Sequence, residues 1–369
     1  MEKALPVEKL HTALLVLLRA GLWERAIDDA TCFPLSAEAW AELFRLSRQQ
    51  TVTGIVFRGM QFLPESLLPA PSLLIRWTAA VDAIERRNRD MNGVLSELYA
   101  LFRSNGLDPV LQKGQGVAAF YESPLLRECG DIDLWFGDPR ASDAARDLIS
   151  LRATHIRRMP DQSLFYRWRG MAVEHHTRLF DLHNPFLQSS AKCLGRENGF
   201  VRMPLSGEDG AMITVPSPLV NLLLLDLHVL KHALGRGIGL RQLCDMARAC
   251  YRLHAEVKPG QMKKLCDNWG LGRWNPLLHV FMVDCLGLPS DCLPYGELAP
   301  TARPLLEIVW RGGNFGQHDP ELQTSGRTIW TRKISTARSF CRNLRFAVRY
   351  VPKEAFWICV GLMKGQFRK

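Results

Sequence analysis

Gly130-Asp131-Ile132-Asp133-Leu134-Trp135-Phe136 is the stretch whose reading decides the fold. It alternates polar with apolar at its start, as a strand does. Residues two apart on a strand share a face, so Asp131 and Asp133 project together while Ile132 and Leu134 enter a core. Two carboxylates held side by side repel one another, and a divalent cation is the natural compensation. Magnesium bound by one or two carboxylates plus phosphate oxygens serves many phosphoryl-transfer sites. The motif is short, and an exposed strand with an acidic outer face would carry the same residues.

The material upstream strengthens the first reading. Pro109-Val110-Leu111-Gln112 is short and extended, and Gly114 to Tyr121 reads as a helix. Between them, Lys113-Gly114-Gln115-Gly116 forms a strand-to-helix turn. Glycines there let the backbone approach a phosphate, and the N–H groups at a helix start favour an anion. Lys113 adds a point charge. Downstream, a helix runs from Ala141 to Leu151. Two extended segments, Ser163 to Arg169 and Met171 to Phe180, are separated by the turn residue Gly170. Glu174 therefore falls on a strand able to lie beside the Asp131–Asp133 strand.

On either side the chain reads as helical. Leu14, Leu15, Leu17 and Leu18 lead to Trp23, and Trp40, Leu43 and Leu46 form a second apolar pattern. After Pro64, Pro69 and Pro71, apolar residues recur at helical spacing from about Leu73 to Phe102, where Asn105-Gly106 ends the run. Helices return at Ser217 and continue with breaks near Pro289, Pro300 and Gly312-Gly313. The expected fold is thus α+β, a small mixed β-sheet domain embedded between mainly helical regions, with boundaries at 1–105, 106–215 and 216–369.

The run Leu111-Gln112-Lys113-Gly114, Ala118-Ala119-Phe120-Tyr121, Pro124, Arg127 and Gly130-Asp131-Ile132-Asp133-Leu134 resembles the signature of an uncharacterised bacterial nucleotidyltransferase family. That family belongs to the DNA polymerase beta-like nucleotidyltransferase superfamily. The resemblance implies that the Gly114 turn, with Lys113 and Gln115, cradles a triphosphate. It implies that Asp131 and Asp133 bind Mg2+ or Mn2+, with a third carboxylate on a neighbouring strand. The family-like Val173-Glu174-His175-His176, followed by Asn184-Pro185, selects Glu174 with His176 over the competitor Asp181. Arg127 is either a triphosphate contact or a surface loop arginine.

Other features are less specific. His228 and His232 lie four apart on one helix face, but Val229 stands where a metalloprotease would carry Glu, so core histidines are the favoured reading. Gly239-Leu240-Arg241-Gln242-Leu243-Cys244-Asp245 also resembles the family, and Arg241, Gln242 and Asp245 either face the nucleotide or bridge domains. Trp310-Arg311-Gly312-Gly313-Asn314-Phe315-Gly316 is family-like too, and reads as a loop. Near the C-terminus, Arg332, Lys333, Arg338, Arg342, Arg345, Arg349, Lys353, Lys364, Arg368 and Lys369 are interleaved with Trp330, Phe340, Phe346, Tyr350, Phe356 and Trp357. Such helices lie on anionic lipid, bind nucleic acid, or pack their aromatics on their own domain.

The bulk charge suits a nucleotide, nucleic-acid or anionic-membrane partner, or equally a solvated basic surface. Forty-seven Lys plus Arg against 37 Asp plus Glu give a formal charge of +10, which favours phosphate-bearing partners. Met1 to Pro6 shows no signal-peptide pattern, and the ten cysteines contain no CxxC, so free thiols in the cytoplasm are expected. The apolar run Leu219 to Leu230, broken by Asn221, Asp226 and His228, is too polar to span a bilayer. The expected activity is transfer of a nucleoside monophosphate from an NTP to an acceptor hydroxyl with release of pyrophosphate. The acceptor is left open among sugar, metabolite, peptide, protein and RNA end. Two rivals stand beside it: a nucleotide-sugar glycosyltransferase using the same Asp pair, and a nucleotide-binding module without turnover.

Overall fold

The computed structural model describes residues 7–313 apart from positions 160, 198, 209 and 236, and residues 329–367. Of the segments singled out above, Met1 to Pro6, Asn314 to Gly316, Arg368 and Lys369 lie outside the described residues, as do the side chains of Trp330, Arg332, Lys333, Arg338 and Lys364.

The fold is α+β, as expected. Helices α1 (Val7–Trp23), α2 (Ala37–Gln49) and α3 (Thr53–Met60) open the chain, and Ser36 caps α2 through its hydroxyl. Next comes α4, the 33-residue helix Pro71–Arg103. Pro71 starts it where a missing N–H costs nothing, and Gly106, at φ +73°, takes the left-handed turn after it.

Seven strands form one mixed sheet: β1 (Val110–Leu111), β2 (Ile132–Trp135), β3 (Thr154–Arg158), β4 (Leu164–Trp168), β5 (Met171–His176), β6 (Phe200–Pro204) and β7 (Met212–Pro216). Their spatial order is β3-β4-β5-β2-β1-β7-β6. The pairs β2–β5 and β1–β7 are parallel, and the remaining neighbours antiparallel. Between strands lie α5 (Gln115–Ala118), α6 (Pro139–Ile149) and α7 (Gln188–Glu197). The helix expected from Gly114 to Tyr121 is a single α turn. Phe120 and Tyr121 donate to the carbonyls three residues back, which tightens the end into a 3₁₀ tail.

The C-terminal helices are α8 (Pro218–Leu234), α9 (Leu240–Leu253), α10 (Pro259–Asn268), α11 (Trp274–Val280), α12 (Arg303–Gly312), α13 (Ile329–Tyr350) and α14 (Pro352–Phe367). Trp310 to Gly312, expected in a loop, close the amphipathic helix α12, where the Gly313 backbone N–H caps the Val309 carbonyl. A π-helical turn at Phe281–Cys285 follows α11. Arg19 of α1 donates to the carbonyls of Asp284 and Cys285, and the Trp23 indole to that of Leu286. Phe346 packs at 6.2 Å from Trp274, so that aromatic serves the chain's own core. Among the described residues no helix is long and apolar enough to cross a membrane. All ten cysteines are free thiols.

Two hydrophobic cores result. The larger holds α1 to α3 together with the helices after the sheet, and the smaller lies under the sheet. Helix α4 belongs to both, placing Trp77 and Val81 in the first and Met91 to Phe102 in the second. At 1.5 Å per residue it spans about 50 Å, enough to tie the two bodies with one rigid rod.

The crossing of α1 on α3 is the tightest in the helical core. A Cβ at Gly59 would overlap the Leu17 carbonyl oxygen, and one at Gly21 would overlap that of Ile55. Gly59→Ala should therefore push these helices apart and destabilise the protein by about 2 to 3 kcal/mol, read from urea denaturation. An unchanged midpoint would show that the crossing can relax.

Candidate active site

The site begins with the alternation of β2. Ile132 and Leu134 are buried in the sheet core, and Asp133 points to the opposite face with Asp131 at the strand's entry. Parallel pairing sets Asp133 opposite Glu174 and Trp135 opposite His176. On β5 the alternation repeats: Val173 and His175 go inward, Glu174 and His176 outward. His175 is a core residue, facing Phe102 and Phe136, with its Nε2 3.0 Å from the Tyr166 hydroxyl. Burial lowers its pKa to about 3.

Asp133 is 5% exposed and fully partnered. Its Oδ1 lies 2.6 Å from His176 Nε2 and its Oδ2 3.3 Å from Lys113 Nζ. Burial would raise the Asp133 carboxyl, but Lys113 and His176 outweigh it and hold the group well below its ordinary range. Asp131, at the exposed mouth, is pushed up to about 6, first by the charge of Asp133 and then by desolvation. Burial alone would lower His176, and the bond and charge of Asp133 instead raise it. Glu174 accepts from Ser163 Oγ at 2.7 Å, and its Oε1 is 3.8 Å from His176 Nδ1.

The Gly114 turn closes over this pair. Gly114 has φ +62° and ψ −122°, a conformation for glycine alone, and a Cβ there would meet the Asp131 carbonyl oxygen at 3.3 Å. The turn is pinned by Gln112, whose N–H donates to the Asp133 carbonyl and whose side chain donates to that of Arg178.

The opposite wall comes from α8 and α9. Together they enclose a polar cleft of about 240 Å³ lined by Lys113, Gly114, Asp131, Asp133, Glu174 and His176 from the sheet, and by His228, Lys231, His232, Arg241 and Gln242 from the helices. Asp181, the competitor for third carboxylate, also lines it, but lies past β5 and pairs with Lys231 at 3.0 Å. The His228 and His232 rings meet edge-on at 4.5 Å, and burial keeps both pKa values low.

Of the residues expected to contact nucleotide, Gln115 faces away from the cleft, while Arg127 and Arg241 line it and are also bonded within the protein. Gln115 is buried with its amide on Asn92 Oδ1 at 2.6 Å and on the Asn88 carbonyl, so its side chain faces α4. Arg127 is buried and bidentate on Asp245, with both N–H···O distances 2.7 Å, and Tyr121 donates to the same carboxylate. It is not a surface loop arginine: it lines the cleft while held by Asp245. Arg241 lines the cleft while its Nη1 donates to the Glu128 carbonyl. Arg127, Arg241 and Asp245 thus lock α9 to the segment that leads into Asp131. Sequence reading did not find Ser163, whose hydroxyl lies within hydrogen-bond distance of both the Glu174 and Asp161 carboxylates, nor Asp161, which lines the cleft; nothing in their spacing marks them.

Among the described residues, Asp133, Glu174 and His176 form the group able to hold a metal ion, with donor atoms within 4.8 Å of one another. Asp131 lines the same cleft without being one of that group.

A mixed sheet flanked by helices, with paired carboxylates beside a glycine turn, is consistent with an α+β nucleotidyltransferase domain. The chain belongs to the family described as uncharacterised nucleotidyltransferases, whose family model matches residues 36–283. No curated protein and no solved structure matches the chain.

Two outcomes follow from these contacts. Arg127→Ala leaves Asp245 buried without its counter-charge, so stability should fall by about 3 to 5 kcal/mol in denaturant titration. Replacing Asp131 by Asn should raise the melting temperature of metal-free protein at pH 7.5. The sign follows from the raised pKa: an acid harder to ionise when folded favours the fold below its unfolded pKa and loses that contribution as pH climbs through about 6. The gain from Asn should accordingly disappear near pH 4; a gain that persists there would assign it to packing.

Proposed function

We propose that the chain transfers a nucleoside monophosphate from an NTP to an acceptor hydroxyl and releases pyrophosphate. The observation that carries this reading is the register of Asp133 opposite Glu174 on adjacent parallel strands, with Asp131 two residues away on the same face. Asp131, Asp133 and Glu174 are the residues that would hold Mg2+ or Mn2+, and His176 fixes the orientation of Asp133. When bound, the ion neutralises phosphate charge and draws acceptor and donor oxygens together.

The protein's own groups do the rest. Gly114 lets the turn's backbone approach the triphosphate, and Lys113, which lines the same cleft, would meet a phosphate oxygen. In the transfer the acceptor oxygen bonds the α-phosphorus. The bond from that phosphorus to the bridging oxygen breaks, and pyrophosphate leaves with the electron pair. The hydroxyl proton passes to water. Positioning within a closed polar cleft supplies most of the rate, since little covalent work falls to the side chains.

Binding of each NTP, with and without Mg2+, to wild type and to the Asp131→Asn/Asp133→Asn double variant tests the assignment. Metal-dependent binding should vanish in the variant, and turnover should drop by at least ~10³-fold, several kcal/mol of charge stabilisation. Equal binding in both proteins, or in neither, would remove the metal-dependent transfer reading.

A further inference from the structure

Asp181, Lys231 and His232 line two cavities at once: the polar cleft just described and a larger apolar one beside it. The second encloses about 540 Å³. Its walls are Leu227, Leu230 and Leu234 of α8, Phe340 of α13, and Ile358 and Leu362 of α14. That volume lies within the range of small-molecule sites, which are mostly apolar with a few polar groups fixing orientation.

The charged groups of this cavity pair with the protein itself, and most of its lining is apolar. Glu354 is taken up by His183 and Asn184, whose backbone N–H groups both donate to it. Lys231 is paired with Asp181 on the side shared with the cleft. A nucleobase pressed against the aliphatic wall would face mainly leucine, isoleucine and phenylalanine side chains, whereas an alkyl or aryl group would lose nothing there. The phosphates have their place at Lys113 and Gly114, in the polar cavity.

We propose that the apolar cavity is the acceptor site, and that the acceptor is a small amphipathic alcohol. Its alkyl or aryl body lies between α8 and α14, and its hydroxyl reaches the carboxylates past Lys231 and His232. This rests on the nucleotidyl-transfer reading. The hydroxyl oxygen bonds the α-phosphorus as the bond to the bridging oxygen breaks, pyrophosphate carries off the electron pair, and water takes the proton.

The test uses n-alkan-1-ols of four to eight carbons as probes, titrated calorimetrically into the full chain. Binding should saturate at one per chain and tighten about fourfold for each methylene added. Ile358→Trp and Leu362→Trp, which fill the cavity from the α14 side away from the carboxylates, should each weaken binding at least tenfold, in variants that melt with wild type. With Mg2+ and α-³²P-labelled NTP, label should appear on 1-octanol. Failure of wild type to bind, affinity flat with chain length, or binding unchanged in a folded Trp variant would overturn the acceptor class. Alkanol binding that follows the expected pattern, in a protein that binds no NTP with Mg2+, would uphold the cavity's ligand class and sink nucleotidyl transfer instead.

Discussion

Like charges facing each other across a parallel strand pair are the constraint on which this structure turns. Strands β2 and β5 set Asp133 opposite Glu174, and Asp131 adds a third carboxylate at the mouth. Pairing of like charges directly opposite one another costs stability in any sheet, and more where burial lowers the dielectric. The fold answers with Lys113 from one side and His176 from the other, both on Asp133. Asp131 is left with less compensation, which is why its carboxyl resists ionisation while that of Asp133 does not. A site assembled at this cost to stability has the character of one kept for function.

Holding that geometry requires the two cores to be rigid with respect to each other. Helix α4 runs through both, and Asn88 on it donates to the carbonyls of Leu125 and Arg127 just ahead of the carboxylate strand. From the other side α9 grips the same segment through the buried Arg127–Asp245 pair and through Arg241 on the Glu128 carbonyl. A buried ion pair seldom adds net stability over apolar packing, but each partner is costly to lose, so it fixes position sharply. The approach to Asp131 is therefore clamped between a helix before the sheet and a helix after it.

What the sequence made legible follows from the same physics. Strands β2 and β5 each have one face in the core and one in the cleft, so their side chains alternate, and alternation is what a single sequence displays best. The helical flanks show the same clarity through their 3.6-residue spacing. Strand β3 is exposed at every position, so Thr154 to Arg158 carry no period to read. β6 and β7 pair near the sheet's other edge, with Pro204 and Pro216 at their ends, residues that argue against strand. Gln115 and Arg127 belong to the right segments, yet their partners lie 23 and 118 positions away. No local pattern can tell an arginine aimed at phosphate from one aimed at a distant aspartate.

The boundary of the family match carries a last implication. Residues 36–283 include the glycine turn, all three carboxylates, His176, and the whole of α8 and α9, so everything assigned to the nucleotide lies within the shared part. Phe340, Ile358 and Leu362, half of the apolar wall beside the cleft, lie beyond it on α13 and α14. Glu354 joins the two parts by receiving the amides of His183 and Asn184, the segment that follows β5 and Asp181. The polar cleft is thus built from one stretch of chain, and the cavity next to it is completed by another. The register of β2 on β5 is therefore independent of the segment that supplies Phe340, Ile358 and Leu362, and the two meet through Glu354.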